Sequence, residues 1–520
     1  MSMSKTLYSY HIFMFPFKWE NSLIKKESFS ERFNLKRVDP KEQSQWFHLP
    51  QPVSKSYEVE LHNEKNYFYQ FVHPVLYDDF DEKKDPVIKH FERKEAYDPD
   101  KALTYEIRVI ANKTSVYRLN LKSIVLNLYS SGTGVLIFYL ENYDFPDLDD
   151  VLRINQFGRR IFPPFLGGEN GVIEPKKYEL PDHIAIEGLN GCHSYFENFE
   201  HYTANWDWKP AKFIESLIDD FSEDLKISPV TDDRMHVLCR YMNNDLSEVC
   251  KSCKTNKDFK KDWYRFVFVD GGYCTCQDTD MMDELLKKHT YTRWQDEGSL
   301  NGISRYSFVY IHSGKAPDYV NTHFRTMYAR MVELSLIQRA SVLKFSEEVT
   351  KLSNLKEKKT KDLTKKISTL HKEYIRFVNQ IYFREVTAQE QGIELYHMIQ
   401  GKMQISEHVR DLDNEIEELH QYAVLLEDKE RNNNLLTLSI IGVLFVIPTF
   451  ITGFYGMNVF EPEKGLTNPC WYSLIIPVLI IIPGIALFYL RTKNKLIRII
   501  TILIILLFIL FIIFIPIMHF

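Results

Sequence analysis

Three grammars of apolar and polar residues follow one another along the chain. From residue 1 to about 313, short apolar runs alternate with turn signals. The runs "YHIFMFPF" (10–17), "NYFYQFVHPVLY" (66–77), "YEIRVIA" (105–111), "MHVLCRYM" (235–242), "WYRFVFVD" (263–270) and "RYSFVYIH" (305–312) are rich in β-branched and aromatic residues and predict strands. "LKSIVLNLYSSGTGVLIFYL" (121–140) predicts a hairpin that turns at Gly132 and Gly134. Helical patterns lie between these runs, over 147–161 and 210–226. Residues 1–313 therefore read as an α/β domain.

Past Pro317 the grammar changes. Up to residue 434 glycine occurs only at 392 and 401, proline does not recur, and helix formers dominate. Residues 320–352 predict one long helix, 354–366 a polar tip, and the stretch through 386 a second helix. A third begins near Gly392. In it Ile405, Val409, Leu412, Ile416, Leu419, Ala423 and Leu426 are spaced 4, 3, 4, 3, 4, 3, a heptad-like stripe that suits packing within one chain or between chains. Few breakers separate it from the apolar residues beyond, so a helix of roughly 60 residues, about 90 Å at ~1.5 Å per residue, is expected from Ile393 to Phe454. Residues 314–434 thus read as a long-helix stalk.

The third grammar is almost purely apolar. Segments 435–454, 471–490 and 496–518 each hold about 20 residues or slightly more, enough to cross a ~30 Å hydrocarbon core. Lys429 and Arg431 precede the first, and Arg491, Lys493 and Lys495 follow the second. The connection at 455–470 carries Lys464 against Glu461 and Glu463. Basic residues favour the cytoplasmic side, so this loop is expected to face outward. The N-terminal "MSMSKTLYSYHIF" lacks a signal pattern, which leaves the large polar part expected in the cytoplasm. The whole reads as an α/β cytoplasmic domain plus a long helical stalk and a C-terminal α-helical transmembrane hairpin, with three membrane spans in all. The expected location is the plasma (inner) membrane.

On a helix through 435–454, one face collects Asn432, Leu435, Ser439, Gly442, Val446, Thr449 and Gly453, with Leu438 beside Ser439; bulky residues such as Leu444, Phe445 and Ile451 lie opposite. Small residues on one face suit helix–helix packing in a membrane. Packing is the reading the pattern alone favours, and neutral oxygens there are also compatible with a polar path. The segment ends on Tyr455, Gly456, Met457 and Asn458. Mg²⁺ sheds its first water shell reluctantly, so neutral amide oxygens can hold it hydrated, whereas a carboxylate ring binds more tightly and releases less easily.

"PTFITGFYGMN" at the end of this segment, on a two-span hairpin behind a large α/β-plus-helix region, resembles the signature of the CorA family of Mg²⁺ (Co²⁺/Ni²⁺) transport proteins. The resemblance implies a homopentamer whose first span lines a central pore and whose second surrounds it. It implies that Mg²⁺ is both the cargo and a regulatory ligand, which closes the pore when bound between cytoplasmic domains. Gly456, Met457 and Asn458, with Tyr455, then form the outer selectivity filter, and Asn458 meets the hydrated ion. Asn432 corresponds to a polar ring at the cytoplasmic mouth, Leu435 and Leu438 to a hydrophobic gate, and Gly442, Val446, Thr449 and Gly453 to the pore wall. Three departures stand out. Val446 replaces a common methionine, Pro448 falls one position late, and an expected acidic ring lands on Gln421. The third apolar segment is an addition to the family pattern.

Composition changes this picture little. A net charge of −6 over 520 residues gives no bulk case for nucleic-acid binding. No phosphate loop or dinucleotide fingerprint indicates a nucleotide partner, and no nucleophile–base constellation indicates an enzyme. The expected partners are other copies of the chain and membrane lipid. Cys250-x-x-Cys253 and Cys274-x-Cys276 are a candidate structural zinc site, set against the alternative of reduced buried thiols. With His397, His408 and His420 they keep a Zn²⁺ transporter as an alternative, alongside a non-conducting, membrane-anchored metal sensor.

Overall fold

The computed structural model describes residues 5–21, 45–49, 55–77, 86–98, 101–110, 114–163, 180–190, 194–199, 202, 209–251, 256–353 and 360–456. The chain divides into two compact units, Met1–Glu427 and Asp428–Phe520. The first is built on a large mixed sheet. Its strands are β1 (Ser9–Asn21), β2 (Trp46–Leu49), β3 (Ile88–Arg93), β4 (Thr104–Ile110), β5 (Thr114–Tyr129), β6 (Thr133–Asn142), β7 (His183–Glu187), β8 (Phe196–Glu197), β9 (Leu225–Pro229), β10 (His236–Met242), β11 (Thr290–Tyr291), β12 (Leu300–Ile303) and β13 (Ser307–His312). The order is β11-β12-β13-β10-β1-β6-β5-β4-β7-β8, with β3 on β5, β2 on β3 and β9 on β1. Among the described residues only β10 and β13 pair in parallel.

β1 shows why its run is nearly all apolar. Side chains alternate across a strand, so Phe13, Phe15 and Phe17 enter one core while Tyr10, Ile12 and Met14 enter the other. Helices cover both faces. Leu148–Gly158, Lys212–Phe221 and Lys257–Phe268 pack on the first, and Ala329–Ser353 with Glu390–Met403 on the second. Pro16 has no N–H for a ladder. It falls between Met14, the last β1 residue paired with β10, and Phe17, the first paired with β9. The predicted hairpin is present. Gly132 takes φ +77° in the turn, whereas Gly134 lies in β6, where a Cβ would come within 2.6 Å of the Phe17 ring.

Two predicted strands are helices. Residues 66–77 run from the end of helix Lys55–Tyr67 through a 3-10 turn, Gln70–Val72, into helix His73–Leu76. Pro74 starts that last helix, a position where a missing N–H costs nothing. Buried Phe68, Val72, Val75 and Leu76 follow a helical spacing. Residues 263–268 belong to helix Lys257–Phe268, begun by Asn256, whose side chain accepts from the backbone N–H groups of Asp258 and Phe259. Phe259, Trp263, Phe266 and Val267 form its buried stripe. Aromatic content pointed to strands, and periodicity overrode it.

The helix expected from Ile393 to Phe454 is also two. Glu390–Met403 ends at Gln404, which adopts the left-handed conformation at φ 55°, and Ile405–Gly456 begins directly after it. Arg305 donates to the Gln404 side chain and holds the break from the β12–β13 turn. At ~1.5 Å per residue the 52-residue second helix is about 78 Å long.

Its heptad stripe packs within the chain. Ile405, Val409, Leu412, Ile416 and Ala423 are buried, against Leu370, Tyr374 and Phe377 in one cluster and Leu363 and Ile367 in another. Those partners sit on helix Thr360–Gln380. The Tyr374 hydroxyl donates to the Val409 carbonyl at 3.0 Å. Replacing Ile416, 1% exposed, with alanine leaves a cavity in this seam. Ile416→Ala is expected to destabilise the fold by about 2–5 kcal/mol, read from the denaturant midpoint; an unchanged midpoint contradicts the packing described.

Candidate functional site

From Asn432 to Gly456 the long helix carries no charged residue. Asn432, Leu435, Leu438, Ser439, Gly442, Val446, Thr449 and Gly453 are all exposed, with Leu435 at 53%, Leu438 at 63% and Val446 at 65%. Leu436 and Phe445, on other sides, are equally open, at 60% and 69%. Exposed apolar side chains on more than one side of a helix are a surface that another helix or lipid can cover. A Cβ added at Gly442 or Gly453 would meet nothing within 4 Å. Among the described residues these glycines therefore serve no close contact. Thr449 donates to the Phe445 carbonyl at 2.8 Å, the bond by which a threonine within a helix ties back to the preceding turn.

The structure thus carries the pore-wall candidates on one helix that continues through Tyr455 and Gly456. Met457, Asn458 and the apolar segments 471–490 and 496–518 lie outside the described residues. Among the described residues no helix is long and apolar enough to cross a membrane.

Lower on the same helix, Asp411, Asp413, Glu415, Glu417 and Glu418 are exposed. Gln421, where the acidic ring was expected, donates to Glu417 at 3.1 Å. His420 stacks on His371 at 4.1 Å between ring centroids, and Glu417 approaches His371 Nε2 at 3.9 Å. Burial, then His420, lowers the His371 pKa. Among the described residues no three His, Cys, Asp or Glu side chains converge on a point that could hold a metal. Cys250, Cys274 and Cys276 therefore form no such group among themselves, and Cys253 lies outside the described residues. The Cys250 thiol faces the Gln295 carbonyl at 3.8 Å, and that of Cys274 the Cys276 carbonyl at 3.3 Å.

One constellation escaped the sequence reading. Ser9 Oγ lies 2.8 Å from His11 Nε2, and His11 Nδ1 lies 2.7 Å from Asn155 Oδ1. This is the layout of a nucleophile, base and orienting amide. All three are fully buried, and Ser9 also accepts from Asn142 at 2.8 Å. No substrate carbonyl can reach that hydroxyl, and burial lowers the His11 pKa to about 4, so the ring is a neutral strut between β1 and helix Leu148–Gly158. Ser9 and His11 share one strand face, but Asn155 is remote in sequence, so only the fold reveals the set.

Residues 315–492 match the family described as "CorA-like Mg2+ transporter protein". Over this stretch, about a third of the chain, the sequence is similar to the CorA-like Mg2+ transporter family. That family is one of membrane transporters and not of enzymes. The matched stretch takes in the helices from Asp318 onward, the exposed apolar helix and the 471–490 segment. The sheet and its covering helices before residue 315 lie outside it. No curated protein and no solved structure matches the chain.

Three buried histidines make the fold acid-sensitive. Burial lowers His11 and His312 to about 4 and His236 to about 3, from an ordinary value of 6.5. Folding keeps them neutral, so the stability they contribute is complete above pH ~6.5 and declines as pH falls toward ~4, by up to ~1.4 kcal/mol per pH unit for each group. Denaturation between pH 7 and 4 should show this loss, and His11→Gln should make it shallower; an unchanged slope contradicts the buried neutral ring.

Proposed function

We propose that the chain assembles as a homopentamer and lets hydrated divalent cations, Mg²⁺ first and Co²⁺ or Ni²⁺ alongside, enter the cytoplasm passively. In this reading 435–454, 471–490 and 496–518 cross the plasma membrane, 455–470 faces outward, and the remainder is cytoplasmic. The observation that carries it is the uncharged, exposed helix end with its small and hydroxyl-bearing face, lying inside the stretch that matches the transporter family.

The chemistry follows from the residues. Asn458 amide oxygens, repeated by symmetry, accept hydrogen bonds from the ion's water shell without the grip of carboxylates. Gly456 permits the backbone turn that presents them. Below, Ser439 and Thr449 hydroxyls and the bare backbone at Gly442 and Gly453 give water-sized room. Leu435 and Leu438 form a constriction that closes by dewetting. Asn432 offers a polar exit. A divalent ion gains ~4.6 kcal/mol at −100 mV, so influx needs no nucleotide. Cytoplasmic Mg²⁺ is the regulatory ligand that favours closure.

Asn458→Ala should cut Mg²⁺ influx into proteoliposomes at least tenfold while the oligomer elutes unchanged; full influx at equal protein sinks the proposal. The same assay with Co²⁺, Ni²⁺ and Zn²⁺ separates a zinc transporter from a magnesium one. Metal-dependent protease resistance without any flux would instead mark a sensor.

A further inference from the structure

An arginine-rich cluster within the first unit has no role in the proposed conduction. Helix Leu148–Gly158 ends in Arg159 and Arg160, and Arg160 bridges to Arg234 just before β10. The Arg159 carbonyl accepts from the Met235 N–H at 2.7 Å, which ties the two segments together. Arg339 comes from the long helix Ala329–Ser353, and its guanidinium lies 5.5 Å from the Tyr306 ring, which Arg234 also approaches at 5.6 Å.

Two carboxylates serve this cluster, and both are taken. Arg160 binds Asp233, and Arg234 binds Asp232 at 3.0 Å and Asp233 at 3.1 Å. Arg159 is left over. It is 2% exposed, and neither its Nε nor its Nη1 has a hydrogen-bond partner. Arg339, 7% exposed, has an unpartnered Nε. His236, 4% exposed, has no partner at either ring nitrogen. Burial, then Arg234 and Arg160, lowers Arg159 to about 9, which still leaves it charged at neutral pH.

A buried charge without partners is destabilising, and an apolar side chain of similar volume would be better tolerated. Four guanidinium groups against two carboxylates leave an excess of two positive charges. A phosphate group carries about −1.5 to −2 and several strong acceptor oxygens, which suits that excess better than a single carboxylate or chloride. Arginine is also the side chain best matched to phosphate. The Arg234 side chain is 34% exposed, so the cluster meets solvent there.

We propose that this cluster binds a phosphate-bearing anion, held by Arg159, Arg339 and His236, with Arg234 at its mouth. The test is thermal unfolding of the full purified chain in detergent, titrated with inorganic phosphate or ATP against chloride at matched ionic strength. Phosphate or ATP should raise the midpoint with concentration where chloride does not. A response to both anions identifies the phosphate group as the ligand, and a response to ATP alone identifies a nucleotide. Arg159→Met should abolish the shift. Arg234→Gln, at the exposed edge, should fold normally and weaken the affinity at least tenfold, so the outcome does not hang on a core variant. No shift with either anion, an equal shift with chloride, or equal shifts in wild type and both variants would overturn it.

Discussion

The apolar seam between helix Ile405–Gly456 and helix Thr360–Gln380 is the constraint on which the candidate transport helix depends. Ile405, Val409, Leu412, Ile416 and Ala423 are buried along one face and fix the helix rotationally at its base. A heptad stripe that lay open would have suited contacts between copies. Here it is consumed within one chain, so the faces left for other copies are the polar and acidic ones. Beyond Asp428, Leu435, Leu436, Leu438, Ile441, Phe445 and Val446 are exposed. The same helix is therefore amphipathic at its base and uncharged, with small and hydroxyl-bearing residues among the apolar ones, from Asn432 to Gly456.

Where the sequence was legible, a single local rule governed. Richness in β-branched and aromatic residues read β1, β4, β10 and β13, and the glycine at 132 marked the hairpin turn. Misreadings came where two local rules competed. "NYFYQFVHPVLY" and "WYRFVFVD" are aromatic enough for strands, yet Pro74 and the Asn256 cap start helices there, and tertiary burial of one stripe decided the matter. The Gln404 break had no local signal. It depends on Arg305, about a hundred residues earlier, and the nearby Gly401 did not end the helix.

The site was legible in the same uneven way. The 3–4 spacing from Asn432 to Gly453 needs only helix geometry, and the helix is there. Buried polar groups were invisible, because their partners come from distant elements. Ser9, His11 and Asn155 meet across a strand and a helix, and the arginines at 159, 234 and 339 meet across three segments. The first set is neutral and joined through Ser9 and His11, with the Asn155 Nδ2 left unpartnered. The second buries guanidinium nitrogens without partners, and that unpartnered charge separates a strut from a candidate binding site.

The central claim is that the voltage alone drives hydrated Mg²⁺ through a path built on the Asn432–Asn458 face. Its most direct test is Mg²⁺ influx into proteoliposomes holding the purified chain, with membrane potential and internal Mg²⁺ varied and no nucleotide present. Influx should rise steeply as the interior is made negative, with ~4.6 kcal/mol available at −100 mV, and should fall as internal Mg²⁺ accumulates. Absence of flux, or flux that requires ATP and ignores voltage, would contradict the account.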